Sequence, residues 1–137
     1  MIFQLTRKEV LYMEWFLKVV KENYANFNGR ARRKEYWMFT LFSSIISVVL
    51  FVLTSIFSDS MLGIIFSILA IIYALAILVP SIALIDRRLH DTDHSGWFYF
   101  IALIPLVGPI ILLITLCKEG TRGDNKYGAD PKTGDLI

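Results

Sequence analysis

From Tyr36 to Ile85 the chain carries one charged residue, Asp59, and this absence of charge limits its possible folds more than any motif does. Tyr36 to Ser58 and Ser60 to Ile85 each exceed the ~20 apolar residues a helix needs to cross bilayer hydrocarbon. Ser58-Asp59-Ser60 is short enough only for a tight turn, and it supplies good N-cap residues for the next helix. The two runs therefore predict an antiparallel helical hairpin over 36–58 and 60–85. Pro80, which has no N–H, should kink the second helix or leave a carbonyl free. Gly63, Ser67, Ala70, Ala74 and Ala76 offer small surface for close helix contact.

The apolar pattern breaks at Asp86-Arg87-Arg88-Leu89-His90-Asp91-Thr92-Asp93-His94-Ser95-Gly96 and resumes at Trp97. An Arg or Asp at the bilayer centre costs roughly 2.5–3.5 kcal/mol on insertion scales. This island therefore predicts a surface loop over 86–97 that sets the membrane register of its neighbours. The third apolar segment, 97–117, contains Pro105, Gly108 and Pro109 near its middle. We read it as a single kinked span. The alternative is a re-entrant hairpin turning at 105–109, which requires protein to bury its free backbone groups. Positive-inside counting bears on the choice. With the N-terminus inside, a full third span exports Lys118, Arg122, Lys126 and Lys132, whereas a re-entrant segment keeps all 14 basic residues inside.

Composition agrees with a membrane protein. The chain of 137 residues has room for one domain, and its 55% hydrophobic and 14% aromatic content exceeds that of an ordinary soluble domain. A single cysteine, Cys117, excludes an intramolecular disulfide. The net charge is only +2, but residues 1–35 hold eight Lys/Arg against four acids, while the polar tail from Lys118 is balanced, four against four. No uninterrupted apolar stretch follows Arg7 and Lys8, so residues 1–12 do not read as a secretory signal. Over 13–26, Trp15, Phe16, Val19, Val20 and Tyr24 share one helical face and Glu14, Lys18, Lys21 and Glu22 the other. That pattern predicts an interfacial amphipathic helix; a helix packed on other protein is the plainer reading.

Asn28-Gly29 signals a turn, and Arg30, Arg32, Arg33 and Lys34 follow it, with Tyr36 and Trp37 placed as an aromatic belt. The simplest role of this cluster is a topological anchor. A sharper one is an anionic-lipid site, since a juxtamembrane cation gains about 1 kcal/mol near an anionic surface. Nucleic acid is not an expected partner, because one short cluster lacks any recognition fold. The tail, 118–137, is rich in turn formers and predicts a solvated segment. Its glycines lack the Lys-Ser/Thr pair and preceding strand of a phosphate loop.

The residues of 86–97 suggest three chemistries. Asp91, Asp93 and Ser95-Gly96 match the first half of a calcium loop, but Ala102 stands where a bidentate Glu is required. His90 and His94 at i,i+4, with Asp91 and Asp93, could ligate a transition metal if helical, though Ser95-Gly96 argues against a continued helix. His90 with Asp91 or Asp93 and the arginines could perform acid–base or phosphate chemistry, but no nucleophile at recognisable spacing completes the set. The plain alternative is a surface loop whose charges pair with one another and with headgroups. No catalytic residue, metal or cofactor is assigned.

Several pieces resemble the bacterial integral-membrane family called domain of unknown function 805. They are Met13-Glu14-Trp15-Phe16; Phe27-Asn28-Gly29-Arg30-Ala31-Arg32-Arg33-Lys34-Glu35-Tyr36-Trp37; Arg87-Arg88-Leu89-His90-Asp91 through Ser95-Gly96-Trp97; Ile104-Pro105 to Gly108; and Gly120-Thr121, Gly123-Asp124-Asn125, Tyr127-Gly128 and Asp130-Pro131. The resemblance covers 13 to about 132. It implies a small multi-pass protein of the bacterial cytoplasmic membrane with no established activity. Similar members start near Met13, so residues 1–12 are expected to be an upstream-start extension. The position of His94 more often carries Arg there, which weakens a metal role.

The sequence thus predicts a single all-α integral membrane domain over 1–137: an interfacial amphipathic helix, a helical hairpin, a third Pro/Gly-kinked transmembrane segment and a polar tail. The N-terminus is expected to be cytoplasmic. The expected function is non-enzymatic. Arg30, Arg32, Arg33, Lys34, Arg87, Arg88, His90 and Asp91 are expected to form a cytoplasmic face for anionic lipid headgroups, a protein partner or a second copy. The alternatives are an oligomeric transporter or channel subunit, then a membrane enzyme using His90 and Asp91.

Overall fold

The structure, a computed structural model, describes residues 12–132. All but the last residue of the expected N-terminal extension lies outside them. Residues 12–17 are α-helical and continue into a π-helical turn, Lys18–Glu22. The long helices follow: α1, Arg33–Ile56, and α2, Met61–Asp91. A 3₁₀ helix, Gly96–Leu103, precedes α3, Val107–Cys117. Among the described residues no strand occurs, only an isolated bridge between Asn125 and Gly128.

Helices α1 and α2 form the antiparallel hairpin that the two charge-free runs predict. Their turn closes where Ser60 donates both its N–H and its hydroxyl to the Phe57 carbonyl. Gly63 is required by this turn: a Cβ there would lie 2.1 Å from the Phe57 carbonyl oxygen. Along the seam, the Tyr73 hydroxyl meets Ser43 at 3.1 Å, and Phe57 packs on Phe66. Pro80 leaves one carbonyl without its helical partner, that of Ala76, and the Tyr24 hydroxyl donates to it at 2.6 Å. The N-terminal helix is thereby pinned to the hairpin, with Val19 buried against Ala31, Phe39 and Leu84. Phe16 stacks on Phe39 beside them.

Two expectations change. The polar island is not a loop through 86–97, because α2 continues to Asp91. Its 31 residues span about 46 Å at 1.5 Å per residue, well beyond the ~30 Å of hydrocarbon. Insertion cost requires the charges to leave the bilayer; it does not require the helix to stop. The helix ends in a Schellman motif with Asp93 at φ 63, where His94 N–H reaches the Leu89 carbonyl and Asp93 N–H that of His90.

The third apolar segment is not one kinked helix but two short helices folded on each other. A γ-turn at Leu106 (φ 67, Val107 N–H to Pro105 carbonyl, 2.8 Å) reverses the chain. The arms touch closely: a Cβ on Gly108 would lie 1.8 Å from the Ile101 carbonyl oxygen. Both ends lie at the polar end of α2, Gly96 against the Asp86 carboxylate and Lys118 against Arg88. Leu112 and Leu116 pack on Leu89, with Phe98 and Ile101 around them.

Candidate functional site

The polar end of the hairpin is organised by Asp91. Its Oδ1 accepts from Arg30 Nε at 3.1 Å and lies 3.0 Å from Arg30 Nη2, and its Oδ2 accepts from Arg88 Nη1 at 2.7 Å. Two guanidiniums on one carboxylate leave an excess positive charge away from water, a large cost unless other groups solvate it. Backbone carbonyls do so. Arg30 donates to Thr121, Gly123 and Gly128; Arg88 donates to Leu116, Lys118 and Ala31. Leu116 is in the last turn of α3, which has no basic residue of its own there. Arg88, with Arg33 on the Cys117 carbonyl at 3.3 Å, answers that negative helix end from another element.

These bonds draw the tail onto the protein. Thr121 N–H donates to the Asp91 carbonyl at 2.7 Å and the Asn125 amide to that of His90 at 3.0 Å, so residues 118–132 cap α2 rather than trail in solvent. The Gly-rich turns that suggested a solvated tail provide the bare carbonyls that a buried guanidinium needs. Gly120 permits the approach, since a Cβ there would fall 1.9 Å from Asp91 Oδ2. The N–H groups of Lys132 and Gly123 hold the Asp130 carboxyl below the usual carboxylate range.

A second buried pair lies beside the first. Arg87 Nη1 meets Glu35 at 2.8 Å, and Arg87 Nε donates to the Asn26 carbonyl at 3.0 Å. Sequence reasoning left Glu35 without a role. The available signal was a lone carboxylate at the edge of a charge-free run, a position that calls for a cation partner.

The eight expected site residues therefore divide. Arg30, Arg87, Arg88 and Asp91 are 8, 3, 0 and 1% exposed and are engaged within the protein. Arg33 and Lys34 are exposed, with Arg32 partly so. Around the Trp15 ring stand Lys18 at 5.4 Å, Arg32 at 5.4 Å and Lys34 at 5.6 Å, a cation–π cluster that ties the N-terminal helix to the basic motif. His90 joins neither group. Its ring stacks on Tyr127 at 4.2 Å, and Nδ1 donates to the Gly29 carbonyl at 2.9 Å. Asp91 bonds to arginines and not to His90, so the geometry does not assemble the acid–base pair. His94 has separate partners, Phe98 and Thr92. Among the described residues no three His, Cys, Asp or Glu side chains come together as a metal site.

Two clefts open beside this network. One, of about 590 Å³, is mostly apolar, between Phe27, Ile82, Ile85, Trp97 and Phe100 with Asp86 at its edge. The other, of about 330 Å³, is polar and lies between the N-terminal helix and Arg87.

Only 6% of the most apolar stretch of either α1 or α2 is buried inside the protein. Phe51, Ile56, Ile71 and Leu75 are turned outward. Helices this apolar and this exposed are solvated by lipid, with backbone bonds satisfied within each helix. The fold thus defines an all-α integral membrane protein. Residues 24–129 match the family described as "Protein of unknown function (DUF805)", and the chain belongs to that family. It is 48% identical over 122 residues to "Inner membrane protein YhaI" of Escherichia coli (strain K12), covering 89% of this chain and 98% of that one. It is 47% identical over 124 residues to "Inner membrane protein YhaH" of the same strain, covering 88% and 98%. No solved structure matches the chain.

Proposed function

We propose that the protein is a non-enzymatic component of the bacterial cytoplasmic membrane whose basic rim, exposed Lys18, Arg33 and Lys34 with half-buried Arg32, engages anionic lipid headgroups. In this reading α1 and α2 cross the bilayer. The folded segment 96–117 dips in from the polar side and returns to it, and the polar end faces the cytoplasm. One observation carries the reading. Every described Lys and Arg belongs to the segments 12–34, 87–88 and 118–132, which meet at one end of the hairpin, whereas the other end has only Ser58-Asp59-Ser60. Such asymmetry is what positive-inside orientation selects, and it places the exposed cations against an anionic leaflet. The buried members of the basic motifs hold the rim in place through their ion pairs and carbonyl contacts.

The test is reconstitution into vesicles of zwitterionic lipid with and without anionic lipid, reading lipid enrichment around the protein. Wild type should enrich anionic lipid in a salt-sensitive way. Arg33→Ala with Lys34→Ala should reduce that enrichment. Equal behaviour in both lipid compositions would end the proposal.

A further inference from the structure

We propose that the polar cleft between the N-terminal helix and Arg87 is a discrete binding site for a phosphate group. The proposal rests on the anionic-headgroup reading and narrows it to one pocket.

Four cationic side chains line the cleft, Lys18, Arg30, Arg32 and Arg87, against one lining carboxylate, Glu35; Arg30 is paired with Asp91 and tail carbonyls, which leaves Lys18, Arg32 and Arg87 to set its charge. Its volume, about 330 Å³, falls within the ~300–1,000 Å³ range of small-ligand sites. The Arg87 side chain is 4% exposed. Its Nη1 is committed to Glu35 and its Nε to the Asn26 carbonyl, but Nη2 is buried and has no hydrogen-bond partner among the described residues. Arginine has five donors in a fixed fork and no acceptor, and buried donors of a charged group are rarely left unmatched. A lysine could serve Glu35; the planar fork keeps a further edge that a tetrahedral, many-acceptor anion can use.

The surrounding chain is shaped for an anion. Gly29 at φ 90 turns the Asn26–Asn28 stretch beside Arg87, bringing amide side chains to the wall. Lys18 is exposed, and Pro131 of the tail also lines the cleft, so the tail contributes to its wall. Trp15 is a further wall, and an indole of this kind belongs at headgroup level. A phosphate at that depth comes either from a lipid headgroup or from the cytoplasm.

The experiment uses the full chain in a nonionic detergent, titrated calorimetrically with inorganic phosphate and with a short-chain phosphatidic acid, against chloride as control. We expect saturable one-site binding of at least one phosphate probe. Arg87→Lys, which keeps a cation for Glu35 but removes Nη2, should weaken it about tenfold, as should Lys18→Gln at the exposed rim. Arg122→Gln, at an exposed cation outside both the cleft and the rim, should leave the affinity unchanged. Binding of the lipid probe alone assigns the site to headgroups, and binding of inorganic phosphate assigns it to a soluble phosphate; either supports the site. If neither probe saturates, or if Lys18→Gln has no effect, the proposal is overturned. The two readings separate cleanly. Loss of anionic-lipid enrichment in Arg33→Ala with Lys34→Ala, without loss of phosphate binding in Arg87→Lys, would sustain only the diffuse rim, and the converse would sustain only the pocket.

Discussion

At the scale of single residues, the molecule repeatedly solves one problem: a polar group that its own element cannot satisfy is met by another element. Pro80 removes the N–H that would have bonded Ala76, and Tyr24 supplies a hydroxyl in its place. Tyr24→Phe should therefore cost about 1 kcal/mol of stability. In a Pro80→Ala background the helix regains its own donor, so the same substitution should cost close to nothing. A denaturation cycle in mixed micelles reads the difference; equal losses in both backgrounds would show that the hydroxyl does not serve this carbonyl. Asp91 and Arg88 apply the same logic with charge. The carboxylate joins two guanidiniums, and the remaining donors go to carbonyls at the end of α3 and in the tail. Gly120 makes the geometry possible by having no side chain.

At the scale of elements, the folded segment 96–117 depends on two backbone features. The γ-turn at Leu106 reverses the chain, and Gly108 lets α3 press against the 3₁₀ arm. Because the Cβ of an alanine at 108 would meet a backbone oxygen rather than a flexible side chain, neither arm can yield locally. Gly108→Ala should cost about 1–3 kcal/mol, read as a lower thermal midpoint in detergent. Gly123→Ala has open space at its Cβ and offers a contrast, since only its positive φ opposes the change. The turn also determines where the tail begins. With both ends of the segment at Asp86 and Arg88, Lys118 emerges beside Arg33 and not at the far end of the hairpin.

At the scale of the whole molecule, the proposed topology has a direct readout. In a Cys117→Ser background, Asp59→Cys should react with a membrane-impermeant maleimide in intact cells, and Lys126→Cys only after the membrane is permeabilised. Labelling of Lys126→Cys in intact cells would mean that the third segment spans and that the tail is exported. The hairpin itself buries little of its apolar surface, so packing within the spans contributes modestly. Cohesion is concentrated instead at the polar end, where the basic motif and the end of α2 share buried ion pairs, the tail supplies carbonyls to their arginines, and the N-terminal helix packs alongside through Val19 and Trp15. Breaking one partner of such a pair costs about 3–5 kcal/mol, which explains why so many cations are committed there.

The sequence by itself determined the class and the hairpin. Hydrocarbon excludes charge and free backbone groups so strongly that two charge-free runs around Ser58-Asp59-Ser60 permit little else, and the free carbonyl at Pro80 was legible for the same local reason. The family resemblance was legible in the two basic motifs. The tertiary structure alone decided what those motifs do. Charge in a sequence shows which side chains must leave lipid, but not whether water or protein receives them. Arg30, Arg87, Arg88 and Asp91 read as an exposed face and are buried, while Arg33 and Lys34 remain outside. Whether 97–117 continues or turns back was likewise undetermined by apolar content. It was decided by the close approach of Gly108 to Ile101 within the segment and by contacts between residues distant in sequence, Arg88 on Leu116 and Thr121 on Asp91.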